Sequence, residues 1–126
     1  MTTETSRQFM ERYIAALSGS EKSPELIAQF VADETLVRHI QEFERSFPGY
    51  DLELEDMVVE GDKVALRAIF SGVHQGEFQG IPATGHEVKL PLMLIYRLEA
   101  GKIAQFWMSA DSLTLLQQMG AVPVPA

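Results

Sequence analysis

Residues 50–68 read YDLELEDMVVEGDKVALRA, and this stretch decides the fold. Leu52 and Leu54 alternate with Asp51, Glu53 and Glu55, the period of two that belongs to a strand with one buried face. Gly61-Asp62 sits between Val58-Val59 and Val64-Ala65 as a hairpin turn, so the two runs pair antiparallel. Extended downstream, the pattern predicts strands over 51–60, 63–76, 86–99 and 102–110. Ala100-Gly101 is a tight turn, and the Gly- and Pro-rich stretch from Gly76 to Gly85 is a loop. The connections are too short for a crossover helix, which needs about a dozen residues, so an antiparallel meander is expected.

Upstream of Pro48 the period is helical. Phe9, Met10, Tyr13, Ala16 and Leu17 share one face after the capping candidates Thr5 and Ser6. Ser23-Pro24-Glu25 reads as an N-cap, a first-turn proline and a first-turn acid ahead of Leu26, Ile27, Phe30 and Val31. Asp33 caps a third helix with a Leu36, Ile40, Phe43, Phe47 stripe that Pro48-Gly49 stops. Leu113, Leu116 and Met119 suggest a short C-terminal helix ended by Gly120, with Pro123 and Pro125 in a frayed tail over 120–126. Helices first and a long antiparallel sheet afterwards make an α+β fold, one domain over 1–126, with the helices on the concave face of the sheet. A twisted sheet curling around its helices leaves an apolar cavity between the layers, where a small ligand would sit.

The chain has 126 residues, 46% of them hydrophobic and 22% charged, which is the balance of an ordinary globular domain. It has no cysteine, which excludes a disulfide framework, a thiolate zinc site and a cysteine nucleophile and leaves a reducing cytoplasm as the expected location. Ten basic residues scattered among eighteen acidic ones give a net charge of -8, a poor match to nucleic acid. The longest apolar run, around Leu90 to Tyr96, is far short of the ~20 residues that span a bilayer, and the opening MTTETSRQ has no apolar core of a signal peptide. Neither a membrane location nor export is expected.

Three segments carry a resemblance: GVHQGEFQGIPATG at 72–85, GKIAQFWMSAD at 101–111 and LLQQMGA at 115–121. Together with EFERSFPGYDLELEDMVVEGDKVALRA at 42–68, they resemble the SnoaL-like polyketide cyclase family, also called ester cyclases, in order and spacing. The resemblance implies the cone-shaped α+β barrel of the nuclear transport factor 2-like type. It also implies an intramolecular aldol cyclisation that needs no metal and no organic cofactor. Such chemistry requires a base for a proton beside a carbonyl, a donor for the developing oxyanion and a dry pocket. Aligned through the GKI turn, the acid/base aspartate of the characterised cyclases falls on Met108, and their pocket histidine falls, through Arg97, on Leu94. The later aspartate of the same motif is retained as Asp111.

Candidates for the proton are His39, Asp56 and Asp111. His39 flanks the Leu36, Ile40, Phe43 stripe and either reaches the pocket edge or lies on the helix surface or at a subunit contact. Asp56 follows Leu52 and Leu54 on the inner strand face unless a bulge turns it to solvent. Asp111 is either an acid/base group or the N-cap of the last helix. The expected ligand pocket is lined by Tyr13, Phe43, Leu54, Leu94, Phe106 and Met108. Tyr13 would donate to a substrate carbonyl or be a core tyrosine satisfied by a neighbour.

His39, His74 and His86 match no metal-ligand spacing, so no metal is expected. His74, within the family's G-x-H-x-G pattern, is read as a loop-ordering residue and His86 as exposed. GEFQGIPATG lacks the Lys-Ser/Thr of a phosphate loop, and the acidic EFER and ELED segments are read as solvated faces.

Two functional readings follow for the cavity. One is a cofactor-independent cyclase or isomerase acting on a small apolar carbonyl compound. The other is a non-catalytic binding protein with the same cone, in keeping with apolar Leu94 and Met108. A third reading makes the chain chiefly a dimer-forming partner. The outer sheet face, with Met93, Ile95, Ile103 and Trp107, is expected to pair two copies as a homodimer.

Overall fold

A computed structural model describes residues 4–122. The order is α1 (Ser6–Leu17), α2 (Pro24–Ala28), α3 (Glu34–Ser46), β1 (Asp51–Glu60), β2 (Lys63–Val73), β3 (Glu87–Glu99), β4 (Lys102–Ala110) and α4 (Ser112–Met119). The strands form one antiparallel sheet in the order β1-β2-β3-β4. This is the expected α+β arrangement. The expected tail at Pro123 and Pro125 lies outside the described residues. No helix among the described residues is long and apolar enough to cross a membrane.

The helix starts are set locally. Thr5 accepts the Gln8 amide at 3.1 Å while the Gln8 side chain takes the Thr5 N–H at 3.0 Å, a capping box that satisfies two otherwise unpaired donors. Ser23 with Pro24, and Asp33, cap α2 and α3.

The sheet's inner face carries Val64, Leu66, Ala68 and Phe70 of β2 and Val88, Leu90, Leu92, Leu94 and Tyr96 of β3, all buried, while their outward neighbours are more exposed. Phe43 and Phe47 of the α3 end pack edge-on against Phe70, with ring centroids 5.7 and 5.3 Å apart. Each such side chain contributes about 1.5–3 kcal/mol through burial.

Two irregularities redirect side chains. A bulge between Leu54 and Asp56 inserts Glu55, so that Asp56 pairs with Arg67 and Met57 with Leu66. A second register shift lies where Arg97 pairs with Gln105 but Leu98 with Ile103. It turns Ile103 into the core, fully buried, and corrects its expected place on the outer face. There the Ile103 N–H donates to the Phe30 carbonyl at 2.8 Å and the Ile103 carbonyl accepts the Ala32 amide at 2.9 Å. The segment between α2 and α3 thereby covers part of the outer edge of β4.

β2 ends at Val73 and β3 begins at Glu87, inside the expected 63–76 and 86–99. The chain turns inward at His74, whose N–H still reaches the His86 carbonyl at 2.9 Å. At the other end α4 lies back over β3, where the Gln118 amide group pairs with both the N–H and the carbonyl of Lys89, at 2.7 and 2.9 Å.

Candidate functional site

Between the helices and the inner sheet face lies a cavity of about 240 Å³. Its wall is mainly apolar: Leu36, Ile40 and Phe43 of α3, Leu52, Phe70, Leu90, Leu92, Leu94 and Met108 of the sheet, and Leu115 and Leu116 of α4. Phe78 of the 74–86 loop completes it. The polar groups divide by depth. Tyr13, Tyr50 and Tyr96 are buried, whereas Glu42, Gln79 and Ser112 are exposed and form a rim.

His39 also lines the cavity and is half-buried. Its ring lies 4.7 Å from that of Phe43 and 5.8 Å from that of Phe106. Burial lowers its pKa from the usual imidazole value of 6.5, with the nearby Glu42 carboxylate pulling the other way. The imidazole is thus held neutral near pH 7, the form that accepts a proton.

Of the six expected pocket residues, Tyr13, Phe43, Leu94 and Met108 line the cavity. Leu54 does not; its neighbour on the same strand face, Leu52, takes that place. Phe106 stands outside the lining as a backing for the His39 ring.

Neither aspartate is in the lining. The bulge at Glu55 puts Asp56 on the outer face beside Arg67, exposed, with its carboxylate accepting the Met57 amide at 2.9 Å. Asp111 is exposed and caps α4, accepting the Thr114 amide at 3.0 Å and the Thr114 hydroxyl at 2.6 Å. Those hydrogen bonds hold its carboxyl below its usual range.

Sequence reasoning missed Tyr50 and Tyr96 as site residues. Tyr96 shares inner-face parity with Leu92 and Leu94, which was the available signal. Tyr50 is held from behind by Lys22, whose side chain is fully buried. The Lys22 ammonium donates to the Tyr50 and Ser20 carbonyls at 2.9 and 2.8 Å, pairs with Glu44 at 3.3 Å, and stands 3.8 Å from the centre of the Tyr50 ring. Burial raises the pKa of all three phenols, so they remain protonated.

The loop over the rim is built on His74. Its Nδ1 accepts the Thr84 amide at 3.2 Å and lies 2.9 Å from the Thr84 hydroxyl, which places the imidazole proton on Nε2. Nε2 is buried without a hydrogen-bond partner among the described residues, next to Phe47, whose ring centroid is 5.5 Å from that of His74. Within the loop, Phe78 and Ile81 exchange backbone hydrogen bonds of 2.9 and 2.8 Å around Gln79-Gly80. Both central residues have positive φ, 48° at Gln79 and 84° at Gly80, the pattern of a type I′ turn. His86 is exposed and meets the Gln118 carbonyl at 3.3 Å. The described residues contain no cluster of three or more side chains suited to a metal.

A family model described as SnoaL-like polyketide cyclase matches residues 7–119. Among solved structures, TsrD of Streptomyces laurentii is similar at 31% identity and a TM-score of 0.79, over 97% of this chain and 100% of that one. AclR of Streptomyces galilaeus, provisionally described as a hydroxylase, is similar at 27% identity and a TM-score of 0.79, over 95% of this chain and 84% of that one. A SnoaL-like polyketide cyclase of Agrobacterium tumefaciens shares the fold at 19% identity and a TM-score of 0.75, over 94% and 100% of the two chains. No curated protein matches the chain.

Proposed function

Because the chain belongs to the SnoaL-like polyketide cyclase family, we propose that it is a cofactor-independent cyclase or isomerase acting on a small, largely apolar carbonyl compound in the cone cavity. The observation that carries this reading is the division of labour within one apolar space, with phenol donors at its buried end and a neutral imidazole, His39, in its wall. Tyr13 orients the substrate oxygen and polarises the carbonyl. His39 takes the proton from the adjacent carbon and returns it after the bond rearranges. Asp56 and Asp111, which lie outside the lining, have no part in this reading. A small substrate suits a cavity of about 240 Å³.

The test is hydrogen–deuterium exchange at the carbon next to the carbonyl of 2-tetralone in D2O, followed by NMR. Exchange faster than in buffer, reduced about 10²- to 10⁴-fold by His39→Gln, supports the reading. No acceleration with 2-tetralone demonstrably bound favours the second reading, a non-catalytic binding protein. That reading has its own support in Leu94 and Met108, apolar and adjacent in the cavity wall.

The same proposal includes assembly as a homodimer through the outer sheet face. Val58, Met93, Ile95 and Trp107 stand there exposed, and an isologous contact would remove them from water.

A further inference from the structure

Tyr13, Tyr50 and Tyr96 are all the tyrosines of the chain, and they come to one cavity from α1, from the residue ahead of β1 and from β3. Each is at most 5% exposed. The rings of Tyr13 and Tyr96 meet edge to face with centroids 5.8 Å apart. Among the described residues neither Tyr96 nor Tyr50 has a protein acceptor for its own hydroxyl proton. The only carboxylate in the lining is Glu42, exposed at the rim. A buried hydroxyl without an acceptor is costly, and an apolar ligand would leave two of them so. A ligand oxygen bearing charge would satisfy both, and hydrogen bonds to an ionised acceptor are the stronger kind.

The geometry points to Tyr13, Tyr50 and Tyr96 as an oxyanion-binding floor, so that the ligand of this cavity is a one- or two-ring compound presenting an enolate or phenolate oxygen to Tyr50 and Tyr96. This deepens the reading above and rests on the same cavity being the ligand site. Tyr13, edge to face with Tyr96, completes the floor, and the oxygen it orients in the reading above is the one presented to Tyr50 and Tyr96. Tyr50 is kept in place by Lys22 beneath its ring. The chain's net charge of -8 opposes the approach of anions, so the ligand enters as the neutral ketone or phenol and loses its proton inside, to the neutral His39 imidazole in the same wall.

The test compares three probes of one shape, 2-naphthol, 2-methoxynaphthalene and naphthalene, by calorimetric titration near pH 7. It records in parallel the absorbance of bound 2-naphthol, which reports its ionisation. The expected result is that 2-naphthol binds at least tenfold more tightly than either control, with a naphtholate component in its spectrum. Tyr50→Phe and Tyr96→Phe each reduce that preference, read as the ratio of 2-naphthol to naphthalene affinity within the same variant. Equal affinity for 2-naphthol and 2-methoxynaphthalene in the wild type overturns the proposal without any variant. A preference that survives in the folded Tyr50→Phe/Tyr96→Phe double variant, or failure to bind all three probes, also overturns it. Absence of tetralone exchange with the naphthol preference intact removes the catalytic reading and leaves the oxyanion floor. Exchange without the preference does the reverse.

Discussion

Leu94 of β3 and Met108 of β4 are direct cross-strand partners on the inner face of the sheet, and both line the cavity. These are the two positions onto which the resemblance carries the pocket histidine and the acid/base aspartate of the characterised cyclases. A thioether and an isobutyl group move no proton, so ring closure that depends on that pair should be slow here. Met108→Asp is expected to raise aldol turnover of a polyketide substrate, toward the lower end of the ~10²- to 10⁴-fold share usual for general acid–base catalysis, because Leu94 still supplies no partner. Met108 is 38% exposed, which keeps the cost of a carboxylate near the ~1 kcal/mol of an average substitution. Product chromatography reads the first effect and urea unfolding the second.

The lowered pKa of His39 fixes the direction of two pH effects. As a base it must be neutral, so the acidic limb of kcat/KM should fall below pH 6.5, the ordinary imidazole value. For stability, the unfolded chain binds the His39 proton between 6.5 and the lower folded pKa while the folded chain does not, so stability falls as pH drops through that window. Urea midpoints measured from pH 7 down to 5 should decline, and His39→Gln should flatten the decline. An unchanged slope in the variant would show that His39 is not the group responsible.

The fold was legible because its signals are local. Thr5, Ser23-Pro24, Asp33 and Gly61-Asp62 each act on residues within a turn of themselves, and the structure places the helix starts and the hairpin where they stand. The site was legible only where parity held. In LELEDM nothing marks Glu55 as an inserted residue, yet that insertion moves Asp56 from the expected inner face to the outer one. The shift opposite Arg97-Leu98 buries Ile103 for the same reason. Nothing in the sequence around Lys22 marks it as buried. Only the tertiary approach of the Ser20 and Tyr50 carbonyls and Glu44 makes its burial tolerable. The meeting of Tyr13, Tyr50 and Tyr96 depends on three separate elements and has no local trace.

Lys22→Met should be strongly destabilising. The replacement keeps the stem but leaves two carbonyls and the largely buried Glu44 carboxylate without their cation. Removing one member of a buried pair usually costs about 3–5 kcal/mol. The lower end applies here because Glu44 also accepts the Gly49 amide at 3.0 Å. A loss of about 3 kcal/mol in urea unfolding is expected, together with weaker 2-naphthol binding as Tyr50 loses its support. A change under 1 kcal/mol would mean that the ammonium contributes little net stability.

The outer face gives the last prediction. Val58, Met93, Ile95 and Trp107 are 65, 57, 43 and 45% exposed, and Ile95 sits between Ala65 and Trp107 in the strand register. A specific contact between two copies buries ~1,200–2,000 Å² in total, and a central apolar residue such as Ile95 would lose its remaining exposure there. A charge at that place, with no partner in the opposite copy, has to be desolvated. Ile95→Glu is therefore expected to weaken dimerisation at least ~10²-fold, equivalent to about 2.7 kcal/mol, without changing the fold. Each copy carries a net charge of -8, so the wild-type dimer should also tighten as added salt screens the repulsion between copies. Sedimentation velocity at micromolar concentration reads both effects, with circular dichroism to confirm that the variant is folded. A wild-type monomer at high salt would show that this face stays in water and remove the assembly from the functional reading.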